Sequence, residues 1–381
     1  MVNDIIYQNA RLLSGGRIID GHELHCRNGK IVGIFPQTAS NPKAIDLKGA
    51  YLAPGFIDLH CHGAIGEEFI DGNEQAFLKI CEFHAAHGTR VLYPTISACD
   101  FSTMYHALEA AEQVIAQSPI TIPGIHLEGP YLAPEMCGAQ DTSYITPPIQ
   151  KEYSTIIERF GHIIARWTYA PERDDGSFLT ALNAAHITPS IGHSAAEYKD
   201  VLLAHQNGCQ LITHLYSCTS TITRKSGFRH LGIIESAYLL DSMYVEAIAD
   251  GCHLPPELLR MIVKIKGADR VCLITDAIRP AGLAPSSDIV GTKNVPYLIE
   301  DGVAKLTDRS AFAGSIATTD ILLRKTVEAG IPVEKTVQML TQTPAEVMGL
   351  LTKGSLLPGY DADFTIFDED FNIIDWKVLK D

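Results

Sequence analysis

The chain has 381 residues, 20% of them charged and 46% hydrophobic, and carries a net charge of −15. That length exceeds one small core and suits a barrel of about 250 residues with a smaller companion. The acidic balance argues against a nucleic-acid partner, and without a run of about 18 apolar residues no membrane span or membrane partner is expected.

The N-terminus, MVNDIIYQNARLL, lacks a basic-then-apolar pattern, so no secretory leader is expected. The nine cysteines are irregularly spaced and contain no CxxC. They read as free thiols in a reducing compartment, which makes the cytoplasm the expected location.

Residues 1–50 carry short alternating runs (IIYQNARLL, RIIDGHELHC, KIVGIF, AIDL) broken by Gly15-Gly16, Asn28-Gly29 and Asn41-Pro42. These predict a small antiparallel sheet. The C-terminus repeats the style in Asp363–Phe367 and Phe371–Trp376. Neither end has enough strands to stand alone, so both are expected to form one small β domain, 1–50 plus 353–381.

The middle, 51–352, alternates apolar strands with amphipathic helices. Candidate strands are Leu52–Leu59, Thr89–Ile96, Thr121–Leu127, Ala165–Ala170, Ile187–Ile191, Leu211–Leu215, Met243–Ala249 and Val271–Thr275. Helical patterns fall at Glu74–His87, Thr103–Gln117, Ser177–His186, Ala195–Asn207 and Pro255–Lys266. Near-continuous apolar strands alternating with helices imply a parallel sheet covered on both faces. Eight such units predict the fold class: α/β, a (β/α)8 TIM-like barrel with a small β-sandwich domain formed by the N- and C-terminal segments. After the eighth strand, Ala277–Ser310 reads as an inserted hairpin, followed by helices near Thr319–Ala329 and Val333–Met348.

Function is expected where the strands end. The first ends in His60 and His62, which share a face while Cys61 points away. The third ends in His126 and Glu128, the fifth at His193 and the sixth at His214. The seventh runs to Asp250 and His253, the eighth to Asp276. Barrel enzymes place their active sites at this end. The candidate metal ligands are His60, His62, Glu128, His193 and His214. Nitrogen and oxygen donors without thiolate suit zinc first, with iron, manganese or cobalt as alternatives. One ion is accommodated, or two if a carboxylate bridges them; either lowers the pKa of bound water. Asp276 is the candidate proton carrier, with a helix cap as its alternative role. His253 is the candidate donor to a polarised carbonyl, or else a supporting residue. His126 lies deeper on the Glu128 face and reads as structural. Cys61, Cys218 and Cys252 read as bystanders.

With PGFIDLHCHG, HLEGPYLAP, IGHSAA, THLYS, ADGCHLPP and LITDA in place, the whole chain resembles the amidohydrolase superfamily, and within it the N-acetylglucosamine-6-phosphate deacetylase branch. The resemblance implies metal-dependent removal of the acetyl group from N-acetylglucosamine 6-phosphate, giving glucosamine 6-phosphate and acetate, in a homodimer where a loop of the second subunit can reach the phosphate. It implies that Glu128, His193 and His214 hold the principal ion and that His60 and His62 can admit a second. It assigns Asp276 as acid/base and His253 as a contact near the acetamido group.

The chain departs from that family in its sugar and phosphate segments. The usual Asn-Ala-Met after THLY is Ser217-Cys218-Thr219, and the usual Arg position falls at Lys225 beside Arg224, with Arg229 and His230 following. The usual Lys-Gly-Ala-His stretch is Cys137-Gly138-Ala139-Gln140. Candidate substrate contacts are therefore Ala139, Gln140, Ser217, Cys218, Arg224, Lys225, Arg229 and His230, alongside His253. A basic cluster in an acidic chain points to an anionic substrate, with a solvated loop as the alternative. These departures leave N-acetylgalactosamine 6-phosphate or another N-acyl compound open as substrate. A non-catalytic barrel that binds without turnover is the remaining alternative.

Overall fold

The structure is a computed structural model and describes residues 4–38, 41–284, 290–291 and 295–374. Eight parallel strands form one sheet in chain order: β1 (Phe56–Cys61), β2 (Thr89–Ile96), β3 (Ile125–Glu128), β4 (Ile164–Tyr169), β5 (Thr188–Ile191), β6 (Leu211–Ile212), β7 (Tyr244–Ile248) and β8 (Val271–Ile274). The ring closes just past β8, where the Asp276 N–H donates to the His60 carbonyl at 2.8 Å. Two site residues therefore share the closing seam.

Helices α1 (Glu74–Ala86), α2 (Phe101–Val114), α3 (Gln150–Phe160), α4 (Ser177–Ala184), α5 (Tyr198–Gln206), α6 (Ile233–Leu239), α7 (Pro256–Lys266) and α8 (Thr319–Glu328) accompany the strands. The expected helix over Val333–Met348 divides into Val333–Leu340 and Gln342–Val347, because Thr341 leaves helical geometry at φ −135° and ψ −80°. Ala345 of the second piece packs with Ile57, Leu59, Val91, Tyr93, Ile248, Cys272 and Ile274, an apolar cluster drawn from four barrel strands. Among the described residues no helix is long and apolar enough to cross a membrane.

The strand expected over Leu52–Leu59 is two strands. Tyr51–Pro54 belongs to a small sheet with Arg11–Ser14, Arg17–Ile19 and Phe364–Phe367. A second small sheet joins Lys30–Pro36, His22–Arg27, Asp4–Gln8 and Ile45–Asp46. Leu12, Leu24, Leu52, Phe364 and Ile366 share one apolar cluster of these terminal strands. The break falls at Gly55, where a Cβ would lie 2.4 Å from Arg90 Cβ, so only glycine permits the approach. Of the expected strand Phe371–Trp376, only Ile373 makes a single bridge, to Phe367; Asp375 and Trp376 lie outside the described residues. The insertion after β8 forms an antiparallel sheet from Val290–Gly291, Pro296–Glu300, Val303–Leu306 and Phe312–Gly314; residues 285–289 and 292–294 of it lie outside the described residues.

Candidate active site

The strand ends deliver their side chains to one point. His193 Nε2 and His214 Nε2 lie 3.1 and 2.9 Å from Glu128 Oε1, and 3.2 Å from each other. His60 Nε2 and His62 Nε2 lie 3.1 Å apart. His60 approaches Glu128 Oε1 at 3.4 Å and His62 approaches Glu128 Oε2 at 3.3 Å. Asp276 Oδ1 sits 3.4 and 3.3 Å from the same two imidazoles. The structure thus brings all five candidate ligands, each buried, into one cluster with the partly exposed Asp276.

Each imidazole is oriented through its other nitrogen. His193 Nδ1 donates to the Met136 carbonyl at 2.9 Å, and His214 Nδ1 to the Ser217 carbonyl at 3.0 Å. His62 Nδ1 meets Ser97 Oγ at 2.9 Å, and His60 Nδ1 faces Glu246 Oε2 at 3.5 Å. With Nδ1 held outward, the four Nε2 atoms point inward and offer lone pairs once they shed their protons, the arrangement of metal-binding histidines. Such a donor set fits a divalent metal ion. Burial opposes charge on His60 and His62, but Glu128 and Asp276 outweigh it and push their pKa values up to about 9 and about 10. Protons and a divalent cation therefore compete for the same nitrogens. For Asp276, burial acts upward, but His60 and then His62 and His214 hold it at about 2.

His193, His214 and Asp276 have φ of 47°, 28° and 49°, in the left-handed region. Each costs about 1–2 kcal/mol for a residue with a side chain, and each turns the chain sharply as it leaves its strand. His126 is buried with both ring nitrogens engaged, by Thr95 Oγ1 at 3.1 Å and Thr168 Oγ1 at 2.7 Å, which leaves none for a metal. Cys61 turns away from the cluster to α1, with Sγ 3.1 Å from His84 Nε2.

The cluster opens into a cavity of about 1320 Å³ whose walls include Ala139, Gln140, Ser217, Cys218 and His253. His253 Nδ1 bonds Asp250 Oδ2 at 2.7 Å, and Asp250 Oδ1 accepts the backbone N–H of Cys252 and His253. Asp250 thereby fixes the ring. Gln140 faces the cavity, but its amide is bound to protein at both ends, to Glu128 and Ala98. The basic hairpin is not brought to this cavity. Arg224, Lys225, Arg229 and His230 sit on the exposed strands Thr223–Lys225 and Phe228–His230, and Glu197 pairs with Lys225 and with His230 at 3.3 Å.

Sequence reasoning missed Arg166 and Glu246, a wholly buried ion pair inside the barrel whose carboxylate faces His60 Nδ1. The available signal was one cation in IARWTY and one anion in YVEAI, lone charges in strands otherwise apolar. In a parallel barrel such charges must pair.

A family model for the amidohydrolase family matches residues 51–379. The chain belongs to the amidohydrolase family. It is 29% identical over 370 residues to the N-acetylglucosamine-6-phosphate deacetylase of Lysinibacillus sphaericus, covering 96% of this chain and 94% of that one. The rat (Rattus norvegicus) enzyme of the same name is 29% identical over 390 residues, covering 96% of this chain and 92% of its relative. Among solved structures, the N-acetylglucosamine-6-phosphate deacetylase of Pasteurella multocida superposes with a TM-score of 0.89 at 27% identity, covering 97% of both chains. A point mutant of the Mycobacterium smegmatis enzyme, in complex with N-acetyl-D-glucosamine-6-phosphate, superposes at 0.88 with 26% identity and 97% coverage of both. The barrel fold expected from the sequence is the fold found.

Replacing His60 and His62 together with Asn is expected to lower metal stoichiometry, measured by elemental analysis, without abolishing it, if Glu128, His193 and His214 are the principal ligands. Loss of all metal would reverse that ranking.

Proposed function

We propose that this amidohydrolase removes the acetyl group from N-acetylglucosamine 6-phosphate, giving glucosamine 6-phosphate and acetate. The observation that carries the reading is the convergence of four inward-aimed Nε2 atoms, Glu128 and Asp276 at the C-terminal mouth of the barrel. Glu128, His193 and His214 would hold the principal ion, and His60 and His62 would admit a second. Zinc suits this nitrogen and oxygen set first. A divalent ion supplies Lewis acidity toward the acyl oxygen and toward water.

The chain's own residues carry the rest. Asp276, kept ionised by its imidazole neighbours, takes a proton from the attacking water and delivers it to the amine nitrogen as the C–N bond breaks. His253, its ring fixed by Asp250, donates to the acyl oxygen as charge builds there. Ala139, Ser217 and Cys218 border the sugar. The reading of 1–50 plus 353–381 as a small β domain beside the barrel of 51–352 is supported by one small sheet in which Tyr51–Pro54 pairs with both Arg11–Ser14 and Phe364–Phe367.

In the proposed homodimer, the Arg224–His230 hairpin, with Phe228 75% exposed, is the segment offered to the phosphate in the partner's cavity. The nine cysteines are all free thiols, which supports a cytoplasmic location.

One observation favours a second reading, a neutral N-acyl sugar. Glu68, Asp71, Asp100 and Asp141 line the cavity, and Arg279 is the one arginine or lysine among its described lining residues. Arg279 is tied to Glu68 at 3.1 Å and Asp71 at 3.0 Å. Turnover across N-acetylglucosamine and N-acetylgalactosamine, each with and without the 6-phosphate, separates the readings. The proposal expects N-acetylglucosamine 6-phosphate to lead; indifference to the phosphate would select the neutral substrate.

A further inference from the structure

Gln140 occupies a position suited to touching substrate, yet both ends of its amide are spent on protein. Its Nε2 donates to Glu128 Oε2 at 2.7 Å, and its Oε1 accepts the Ala98 N–H at 2.9 Å. The second bond fixes which end of the amide faces Glu128.

The two oxygens of Glu128 have different company. Oε1 is shared among His193, His214 and His60. Oε2 faces His62 at 3.3 Å and Gln140. The residue before Ala98 is Ser97, whose hydroxyl holds His62 Nδ1 at 2.9 Å. A closed circuit results: His62 to Glu128 Oε2, to Gln140, to Ala98, to Ser97 and back to His62. One short segment after β2 thereby clamps both donors that lie on the His62 side of the cluster. Among the described residues the His193–His214 side has no such circuit; its rings are held by the Met136 and Ser217 carbonyls.

We infer that Gln140 is a positioning residue for the second metal ion: it presents Glu128 Oε2 to the His60–His62 pair and so sets whether that centre fills. The inference rests on the metal-dependent reading given above. It differs from a substrate-contact role for Gln140 in which quantity should move.

The test uses the full-length protein, stripped of metal with a chelator and titrated with zinc against a chromophoric competitor. Stoichiometry comes from elemental analysis, and kcat and KM from deacetylation of N-acetylglucosamine 6-phosphate. Gln140→Ala is expected to weaken the more loosely held zinc by about 10- to 100-fold, the usual cost of losing a group that orients a ligand. The tighter zinc should be unaffected, KM should change by less than about threefold, and kcat should fall with the loss of the second ion and recover when zinc is raised. Gln140→Asn keeps the amide but is one methylene short of spanning Ala98 and Glu128, so it should behave like the alanine variant with less perturbation of the loop. Unchanged zinc affinity in both variants overturns the inference, whether KM rises or stays. If the unaltered protein binds no zinc at all, the metal-dependent reading fails first and takes this inference with it.

Discussion

An Asp276→Asn protein is expected to lose turnover by about 10²- to 10⁴-fold, the usual worth of a positioned acid/base group, while keeping the ion held by Glu128, His193 and His214. The substitution is almost isosteric. Asp276 has a φ of 49°, a left-handed value that asparagine tolerates better than most residues. The barrel seam depends on the Asp276 backbone N–H to His60, which the change leaves in place. What disappears is a carboxylate able to accept a proton from water and release it to the amine. The loss should therefore fall on kcat, with metal content and thermal unfolding near the unaltered values. Full turnover by the variant would sink the assignment, and so would a loss explained entirely by missing metal.

The barrel was legible because parallel strands buried on both faces read as apolar runs, and because metal-capable residues stood at the ends of so many of them. His60, His62, Glu128, His193, His214 and Asp276 were all found that way, and all six meet in the structure. What was not legible depends on three-dimensional neighbours. Gly55 splits the first strand because Arg90 lies against it, a contact with a residue 35 positions away. Gln140 read as a candidate substrate contact from its place in the family's Lys-Gly-Ala-His stretch; that its amide bridges Glu128, at the end of its own strand β3, and Ala98, just past β2, is visible only in three dimensions. The Arg224–His230 cluster read as a phosphate grip from its charge and from the usual Arg position falling at Lys225. Its neighbour Glu197, which engages Lys225 and His230, comes from the entrance to α5. Composition carries charge but not direction.

Arg166 shows the same limit most clearly and supports the second large prediction. The guanidinium is wholly buried and bonds Glu246 Oε1, Ser190 Oγ at 2.9 Å, Thr213 Oγ1 at 2.7 Å and the Leu59 carbonyl at 3.2 Å. Glu246 uses its other oxygen to accept the His214 backbone N–H at 3.2 Å and to face His60 Nδ1. Burial acts to raise the Glu246 pKa, and Arg166 overcomes it, holding the carboxylate ionised at about 2. Arg166→Met removes that cation and strands the anion, so stability should fall by about 3–5 kcal/mol. Glu246 is then driven toward its protonated form and becomes a poorer acceptor for His60 and His214. Ion affinity should drop as well, by about 10- to 100-fold, the usual cost of losing a group that orients a ligand. Thermal or denaturant unfolding and zinc titration measure the two effects separately. Arg166→Met combined with Glu246→Leu removes the stranded charge and should recover much of the lost stability. It cannot restore the acceptor behind His60 and His214, so the ion should remain weakly held. If ion affinity returns along with stability in the double variant, the pair is scaffold only and has no hand in presenting the imidazoles.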